Sequence, residues 1–346
     1  MSFTCIDGFS GAGGLSLGLS KAGFDLLYSF DIDRCSIETQ LLNEKYFNHK
    51  IQELDIREFD PIETMNEFGL IKGELSLFAG GPPCQGFSIQ RIGSDQDDRN
   101  NFVFVFIEKM IVLSPKFFLL ENVPGLNGKR GKQILEDALN YAEQNGYHIH
   151  KNILNAQDYE VPQRRKRVII VGEKKTDSPL KFSYPKPSTK KISVRDTIGH
   201  LPATPKNGKE HPDIKHHRSD KLSDLNVKRI KYVKEGQGMA FLPEHLLADC
   251  HKAGADKIGH RNVYGRMKWD DVAPTITARF DSFTRGMFGH PEQNRTISLR
   301  EGALLQTFPN DFEFVGNKVD IARQIGNAVP VNLAVAVGKE LIKALK

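Results

Sequence analysis

A cysteine on a rigid loop is the first residue in this sequence that could do covalent chemistry. Cys84 lies in the segment GGPPCQGFS, where two prolines precede it and glycines flank it. Proline fixes the backbone and glycine permits unusual turns, so this loop would hold the thiol in one place. A cysteine presented in this way can act as a nucleophile, although a free cysteine in an ordinary turn is the plainer interpretation.

A carboxylate and two arginines could assist such a nucleophile. Glu121 follows the apolar run PKFFLL and begins the tripeptide ENV. If it is partly desolvated, it can keep a proton and donate it to a substrate ring. The run QRRKR leads into VIIVG, and strand alternation predicts that Arg165 and Arg167 share one face, suited to a phosphate or a carbonyl oxygen. Taken alone, the acid could be a helix cap and the arginines a basic strand edge.

A glycine-rich turn and two later acids have the order of a nucleotide pocket. The turn FSGAGG, from Phe9 to Gly14, follows a strand candidate and precedes a helical stretch. Its glycines would let a ligand approach the backbone, and the helix offers its positive N-terminal end. Asp31 could accept hydrogen bonds from a ribose diol, and Asp55 could accept one from an adenine amine. Each feature alone could be a plain turn or a solvated acid, but the three in order predict an adenosyl pocket.

The elements that would position these residues are short strands. Apolar runs alternate with helix-compatible segments in the first half of the chain, which is typical of a parallel sheet covered by helices. The strand candidates are residues 3–9, 26–30, 75–79, 117–120 and 168–171. Open α/β sheets bind ligands beyond the carboxyl ends of their strands, where several of these residues lie. Later, Ser298 and Glu301 predict a capping box that begins a helix, and residues 331–345 predict an amphipathic helix.

The composition is that of a globular protein with one basic segment. Of the 346 residues, 39% are hydrophobic and 26% are charged, which argues against extended disorder. The net charge is +5, yet residues 181–235 hold 14 lysine or arginine residues against 6 aspartate or glutamate residues. The basic charge is therefore concentrated in one stretch. That stretch is rich in proline and histidine and has little periodicity, which predicts a separate, loop-rich module.

Other classes of site and location are disfavoured. The four cysteines, Cys5, Cys35, Cys84 and Cys250, are scattered and form no CxxC pair, so neither a disulfide framework nor a zinc site is predicted. No apolar run reaches the length that spans a bilayer, and the N-terminal residues do not have the pattern of a signal peptide. We therefore expect a cytoplasmic protein with no membrane partner.

With these motifs in order, the sequence resembles the DNA cytosine-5 methyltransferase family, in its bacterial form associated with restriction and modification. The likeness covers nearly all the ordered parts of the chain: FSGAGG, Asp31, Asp55, GPPCQGFS, ENV, QRRKR, REGALLQTFP and QIGNAVP. It implies an α/β, Rossmann-like methyltransferase fold with a mostly parallel sheet flanked by helices. The implied catalytic domain comprises residues 1–178 plus 292–346, and a smaller, loop-rich target recognition domain comprises residues 179–291.

The resemblance also implies roles for individual residues. Contacts to S-adenosylmethionine, or to its product S-adenosylhomocysteine, are implied for Phe9, Ser10, Gly11, Gly13, Gly14, Asp31, Ile32, Asp55, Ile56, Pro83, Asn327 and Val329. Cys84 would add to carbon 6 of cytosine, and Glu121 would contact ring nitrogen 3 and the amine. Arg167 would contact the carbonyl oxygen, and Arg165 would lie in the same pocket or at the adjoining phosphate. Contacts to DNA are implied for Gln85, Ser88, Gln163, Arg165, Thr275, Thr277 and Arg279.

The implied reaction places a methyl group on carbon 5 of a cytosine that has been rotated out of a DNA duplex, since neither face of a stacked base is open to the thiol. It needs no metal. The implied partners are double-stranded DNA and a cognate restriction endonuclease that acts on the same site without direct binding. The enzyme itself is expected to be a monomer.

One departure and two alternatives accompany this interpretation. Asp31 stands where a glutamate is more usual in the family, so we expect a small backbone shift to bring the shorter side chain into place. A transfer RNA cytosine-5 methyltransferase would share the motifs, but the Cys-Phe-Thr tripeptide of that group is absent and the recognition region is long. A catalytically silent DNA-binding protein on the same fold is the other alternative, although Cys84, Glu121 and the glycine turn are intact.

Overall fold

The chain forms two compact units. The structure, a computed structural model, describes residues 2–83, 102–124, 129–219, 221–252 and 263–346. The first unit comprises Met1–Asn155, Lys166–Pro187 and Val329–Lys346, and the second comprises Ala156–Arg165 and Ser188–Ala328. These boundaries describe packing, and they divide the chain at other positions than the predicted domains do. The division into a catalytic and a target recognition domain therefore stays a prediction.

The first unit is built on a seven-stranded sheet. Its strands are β1 (Phe3–Gly8), β2 (Phe24–Asp31), β3 (Lys50–Glu53), β4 (Leu77–Gly80), β5 (Phe117–Asn122), β6 (Tyr147–Asn155) and β7 (Lys166–Lys174). The order is β3-β2-β1-β4-β5-β7-β6, with β1 to β5 parallel and β7 antiparallel to β5 and β6. The predicted α/β fold with a mostly parallel sheet is confirmed. The edge strands β3 and β6 have no counterpart among the strand candidates.

Helices cover this sheet and complete an apolar core. They are α1 (Gly14–Ala22), α2 (Arg34–Leu42), α3 (Pro61–Glu67), α4 (Phe102–Leu113), α5 (Lys129–Gln144) and α11 (Val331–Leu345). Phe78, Phe106 and Phe118 are completely buried in the core, where long apolar side chains remove the most surface from water. Helix α11, predicted from its amphipathic pattern, packs tightly on α1, since a Cβ added to Gly18 would lie 2.3 Å from the Cβ of Ala334.

The second unit contains helices and loops but, among its described residues, none of the named strands. The helices are α6 (Val194–Ile198), α7 (Asp224–Tyr232), α8 (Asp249–Lys252), α9 (Leu299–Leu305) and α10 (Lys318–Asn327). The predicted capping box of α9 is confirmed: the Glu301 N–H donates to Ser298 Oγ at 3.0 Å, and the Ser298 N–H donates to the Glu301 carboxylate at 2.6 Å. None of the described helices combines the length and apolar character that a bilayer crossing requires.

Buried arginines bind much of the loop backbone in the second unit. Arg266 is 4% exposed, and its guanidinium donates to the backbone carbonyls of Ile230, Val233, His290 and Gln293. Buried carbonyl groups need hydrogen-bond donors, and irregular backbone has no sheet ladder to supply them. The guanidinium of Arg266, with its five N–H groups, supplies these donors.

Candidate active site

The parallel strands end at one edge of the sheet, where several of the predicted site residues lie. Gly8 at the end of β1 lies opposite Phe30 of β2 and Gly80 of β4, and Gly80 lies opposite Leu120 of β5. The carboxyl ends of these strands are therefore level. The glycine turn, Asp31, the chain that leads to Cys84, and Glu121 all follow from strand ends at this edge, as the positions in the sequence predict.

The glycine turn after β1 has a backbone that few residue types can adopt. Gly11 and Gly13 have φ values of +52° and +82°. A Cβ on Gly13, which is also the residue preceding α1, would lie 2.5 Å from the Phe47 ring, so only glycine fits. Phe9 also has a positive φ, +61°, which costs energy in a bulky residue. Strain of this kind is typical of backbone held ready for a ligand.

Asp31, the last residue of β2, is tied directly to the glycine turn. One carboxylate oxygen accepts the Gly11 N–H at 2.8 Å, and the other accepts the Asp33 N–H at 2.8 Å. Burial raises the pKa of this carboxyl, while the backbone N–H donors oppose the shift. The shorter side chain of aspartate therefore reaches the backbone of the glycine turn and holds it by a hydrogen bond. The next residue, Ile32, leaves 63% of its surface exposed, which suits packing against a flat apolar ring.

Asp55 is held by an arginine that the sequence did not single out. Arg57 Nε lies 3.0 Å from one carboxylate oxygen of Asp55, and Arg57 Nη2 lies 2.5 Å from the other. This hydrogen bonding lowers the pKa of Asp55, so the group stays an acceptor. Ile56, by contrast, is 2% exposed and belongs to the apolar core of the first unit.

Asp7 is a polar residue of this edge that sequence reasoning missed. It lies in β1, is completely buried, and accepts a hydrogen bond from the Ser16 hydroxyl at 2.5 Å. Its other oxygen, Oδ1, has no hydrogen-bond partner among the described residues. Burial raises the pKa of Asp7 to about 7. The signal was an acid inside the apolar strand FTCIDG, where a charge is costly unless it has a function.

Glu121 and Arg167 form an ion pair, and the neighbouring residue holds the start of the cysteine loop. Arg167 Nε lies 2.7 Å from Glu121 Oε1, and both side chains are about nine-tenths buried. Asn122 Nδ2 donates to the carbonyl of Pro82 at 3.1 Å. Because Pro82 and Pro83 lead directly to Cys84, the chain that leaves β4 is anchored beside the ion pair. Cys84, Gln85 and Ser88 themselves lie outside the described residues.

Arg165 has different partners from Arg167. Strand β7 begins at Lys166, so its alternation does not extend back to Arg165. Within the second unit, the Arg165 guanidinium donates to the carbonyls of Ile276, Gly326 and Ala328 at 2.8, 2.9 and 3.1 Å, and the residue is 2% exposed. Strand alternation therefore gives no ground for placing Arg165 and Arg167 on one face, and the role of Arg165 stays a prediction.

The other predicted DNA contacts differ in their burial and in their hydrogen bonds within the protein. Gln163 is completely buried: its amide donates to Leu305 O and Gln306 Oε1 and accepts the Ile276 N–H. The Thr275 hydroxyl donates to the Arg164 carbonyl at 2.6 Å. Thr277 and Arg279 are exposed, and Arg279 Nε donates to Asp281 at 3.1 Å.

The two predicted cofactor contacts late in the chain lie at the end of α10. Asn327 is the last residue of that helix and is exposed, whereas Val329 is 8% exposed. The helix end is closely packed, since a Cβ on Gly326 would lie 2.2 Å from the backbone of Thr277. No group of three or more potential metal ligands occurs among the described residues.

Comparisons with known proteins identify the family. A family model described as C-5 cytosine-specific DNA methylase matches residues 3–343. The Type II methylase M.HgiDII of Herpetosiphon aurantiacus is 35% identical over 99% of this chain and 94% of its own length. The Type II methyltransferase M1.HphI of Haemophilus parahaemolyticus is 34% identical over 99% of this chain and 87% of its own length.

Solved structures share the fold. A crystal structure described as that of a DNA modification methyltransferase from a prophage of Escherichia coli superposes with a TM-score of 0.76 at 27% identity, covering 99% of both chains. The methyltransferase EhMeth of Entamoeba histolytica has the same fold, with a TM-score of 0.70 at 17% identity and coverage of 100% and 99%. Neither the RNA nor the silent-protein alternative is favoured. The chain belongs to the C-5 cytosine-specific DNA methylase family, and it is a DNA (cytosine-5) methyltransferase.

Proposed function

We propose that this enzyme transfers a methyl group from S-adenosylmethionine to carbon 5 of a flipped-out cytosine in a specific short sequence of duplex DNA, through a covalent adduct of Cys84. The observation that carries the proposal is the Glu121–Arg167 ion pair at the end of β5. It lies next to β4, from which the chain runs through Pro82 and Pro83 to the cysteine. An acid and a guanidinium beside a nucleophile are the groups that the chemistry needs.

The edge of the sheet supports S-adenosylmethionine as the cofactor. The cofactor wall would comprise the proposed contacts Phe9, Ser10, Gly11, Gly13, Gly14, Asp31, Ile32, Asp55, Ile56, Pro83, Asn327 and Val329. Space is open beside Gly11, where no atom lies within 4 Å of an added Cβ. Asp31 and Asp55 offer acceptors for hydroxyl and amine groups, Ile32 offers an exposed apolar surface, and the Asp7 carboxylate has an unused oxygen. The acceptors and the apolar surface fit the adenosyl group of S-adenosylmethionine.

The chemistry assigns one task to each catalytic residue. When bound, S-adenosylmethionine would supply an electrophilic methyl group. Cys84 attacks carbon 6 of cytosine as a thiolate, which makes carbon 5 nucleophilic. Glu121 holds a proton at ring nitrogen 3, and Arg167 stabilises the carbonyl oxygen at carbon 2, so negative charge does not build on the ring. After carbon 5 is methylated, its proton passes to solvent and the Cys84 thiolate leaves. Glu121 takes back the proton of ring nitrogen 3, which restores the neutral aromatic ring.

Recognition of DNA would fall to the basic, loop-rich segment. Residues 179–291 are the proposed target recognition domain, and the proposed DNA contacts are Gln85, Ser88, Gln163, Arg165, Thr275, Thr277 and Arg279. Exposed side chains such as Thr277 and Arg279 suit this role better than Gln163, whose amide is engaged within the protein. Flipping the base costs a few kcal/mol, which contacts to the phosphate backbone would offset.

The relatives supply the proposed biological setting. M.HgiDII and M1.HphI are named Type II methylases. We infer that this enzyme likewise modifies the recognition site of a restriction endonuclease, which reads the same DNA sequence without binding the methyltransferase. The proposed enzyme is a cytoplasmic monomer that works without a metal ion.

Bisulfite sequencing tests the proposal directly. Plasmid DNA is incubated with the purified protein and S-adenosylmethionine, beside the Cys84→Ser variant as a control. We expect protected cytosines within one short recurring sequence, and none with the variant. Complete conversion of DNA from several sources would contradict the proposed reaction on DNA, and structured RNA would then be the next substrate to examine.

A trapping experiment separates an active enzyme from a silent binder. DNA that contains the identified site with 5-fluorocytosine at the target position cannot lose the substituent at carbon 5. We therefore expect a covalent protein–DNA complex that needs both Cys84 and S-adenosylmethionine. Binding without any adduct would support the silent-binder alternative instead.

A further inference from the structure

We propose that Gln40 is a positioning residue for the cofactor, which holds Ser10 and Gly11 of the glycine turn in the conformation that binds S-adenosylmethionine. The inference rests on the proposed cofactor site. Gln40 belongs to none of the sequence motifs, lies in α2, and is completely buried.

The Gln40 amide reaches the turn with two hydrogen bonds. Its Nε2 group donates to Ser10 Oγ at 2.8 Å and to the Gly11 carbonyl at 2.7 Å. Its Oε1 atom accepts the hydroxyl proton of Ser29 at 2.8 Å. All the bonds from this side chain are made inside the protein, so they are not exchanged for bonds to water.

The direction of these hydrogen bonds is fixed by their chemistry. A carbonyl only accepts, so Gln40 must present its NH2 group to Gly11 and its oxygen to Ser29. The Ser29 hydroxyl then donates to Gln40 and can only accept from His49, whose Nε2 lies 2.9 Å away. Burial lowers the pKa of His49 to about 4, so this ring is neutral and carries its proton on Nε2. Ser10 in turn donates to the carbonyl of Phe30 at 3.2 Å.

This series of hydrogen bonds matters because Gln40 binds the carbonyl of Gly11 while Asp31 binds its N–H group. The Gly11 N–H donates to the Asp31 carboxylate, and the Gly11 carbonyl accepts from Gln40. Gly11 has a positive φ, and no atom lies within 4 Å of the position that a Cβ would take, so side-chain packing does not fix its orientation. Without Gln40, the turn could rotate and take the Asp31 bond with it. Pre-organisation of this kind raises affinity by reducing the ordering cost of binding.

Two variants at position 40 and one control test the inference. Gln40→Leu removes every hydrogen bond of the side chain. Gln40→Glu keeps its shape, and its carboxyl can donate to the turn only while it is protonated. Gln52→Leu is the matched control, because Gln52 lies in the neighbouring strand β3 and accepts one bond from the Tyr28 hydroxyl, with no bond to the turn. Calorimetric titration of the full-length proteins with S-adenosylhomocysteine gives the dissociation constants.

We expect Gln40→Leu to weaken S-adenosylhomocysteine binding at least about tenfold, as loss of a buried hydrogen-bond partner implies. Gln52→Leu should bind as the wild type does. With Gln40→Glu, the ratio of its dissociation constant to that of the wild type should rise as the pH is raised and the carboxyl ionises. The wild type is titrated at each pH because Asp7, Asp31 and His49 lie in the same region and also ionise.

The outcomes separate this inference from the proposed function. If the wild type does not bind S-adenosylhomocysteine, the proposed cofactor site is wrong. If the wild type binds and both Gln40 variants bind equally well at every pH, the positioning role is wrong. If Gln40→Leu does not fold, the pH dependence of Gln40→Glu decides. In steady-state assays of Gln40→Leu, the KM for S-adenosylmethionine should rise while kcat at saturation changes little. A fall in kcat with an unchanged KM would contradict the assignment.

Discussion

The two units of this enzyme satisfy their backbone in different ways. In the first, a seven-stranded sheet pairs the backbone groups, and a core of phenylalanine and aliphatic side chains buries its faces. In the second, the described residues form only three isolated β-bridges outside the helices, at Gln163, Arg266 and Gly289. There, guanidinium groups bind the backbone. Besides Arg266, Arg229 donates to the Leu246 carbonyl and Arg300 to the Lys215 carbonyl.

The difference shows what a loop-rich region needs in order to be ordered. A sheet satisfies its backbone through repetition, whereas irregular loops need a separate donor for each buried carbonyl. Burial lowers the pKa of Arg266 and Arg300, which reflects the cost of placing these charges inside the protein. Arginine is suited to the task because one side chain can bridge several carbonyls at once. The predictions below test whether the two units depend on different interactions.

The largest effect is expected from a cavity in the first unit. Phe78 is completely buried and stacks on Phe106 with ring centroids 4.5 Å apart. Phe78→Ala should lower the free energy of unfolding by about 4 kcal/mol, through lost burial and an unfilled cavity. Urea unfolding followed by far-UV circular dichroism measures this loss. Trp269, the single tryptophan, lies in the second unit, and its fluorescence should report a smaller change. Equal shifts of both signals would show that the units do not unfold separately.

A nearly equal effect is expected when the central arginine of the second unit is removed. Arg266→Met keeps much of the length of the side chain but leaves four carbonyls without their donor. We expect a loss of about 3 kcal/mol in the transition reported by Trp269 fluorescence. Arg285→Met is the control, because Arg285 is exposed. A variant at position 266 as stable as this control would mean that the guanidinium network is not what holds the loops.

Acid should loosen the second unit before the first. Burial lowers the pKa of both His216 and His290 to about 4, so the fold favours their neutral forms. Since unfolded histidine takes up a proton near pH 6.5, stability is lost as the pH falls from about 6.5 to 4. In the first unit, His49 behaves in the same way, but Asp7 opposes it. The raised pKa of Asp7 contributes stability that grows as the pH falls through 7.

The acid transition can be followed with two signals. Trp269 lies 5.0 Å from the His290 ring in an edge-on contact, so its fluorescence should change in the second unit first. Circular dichroism at far-UV wavelengths should change at lower pH, when the sheet is lost. His290→Gln should shift the fluorescence transition to lower pH. Coincident transitions, or no shift in that variant, would contradict the assignment.

The smallest effect is expected at a helix cap. Ser298 caps α9 and also contacts His217 through its hydroxyl at 2.9 Å. Ser298→Ala should cost the second unit about 1 kcal/mol in the urea titration. Ser223→Ala, at the exposed N-terminus of α7, removes a cap with a long 3.4 Å bond and should cost about 0.5 kcal/mol or less. A larger effect at Ser223 would reverse the expected dependence on burial.

Much of the sheet could be predicted because buried strands are continuous apolar runs. Strands β1, β2, β4, β5 and β7 were found in this way, and the acids that follow some of them led to the proposed cofactor site. The edge strands β3 and β6 carry polar and charged residues such as those of KIQE, because an edge faces water. Their sequences therefore lack the signal that identifies a central strand.

The parts of the site that escaped prediction depend on contacts between distant residues. Arg165 binds carbonyls 111 to 163 residues away, and Gln40 binds a turn 29 residues away through two hydrogen bonds. Arg165 belongs to the run QRRKR, but the carbonyls that it binds could not be read from the sequence, and Gln40 belongs to no motif. Asp7 is different, because a lone acid in an apolar strand is visible in the sequence. Residue types thus predicted which groups could react, while the groups that hold them became visible only in the fold.

The close contact of α1 with α11 has a consequence for the newly made chain. Gly18 and Ala334 pack against each other although more than 300 residues separate them. A ribosome adds about 5 to 20 residues per second, so roughly 15 to 60 s pass between the synthesis of the two partners. During that time the helix that follows the glycine turn has no partner for its packing face. The helix that follows the glycine turn can therefore complete its packing only after α11 has been made.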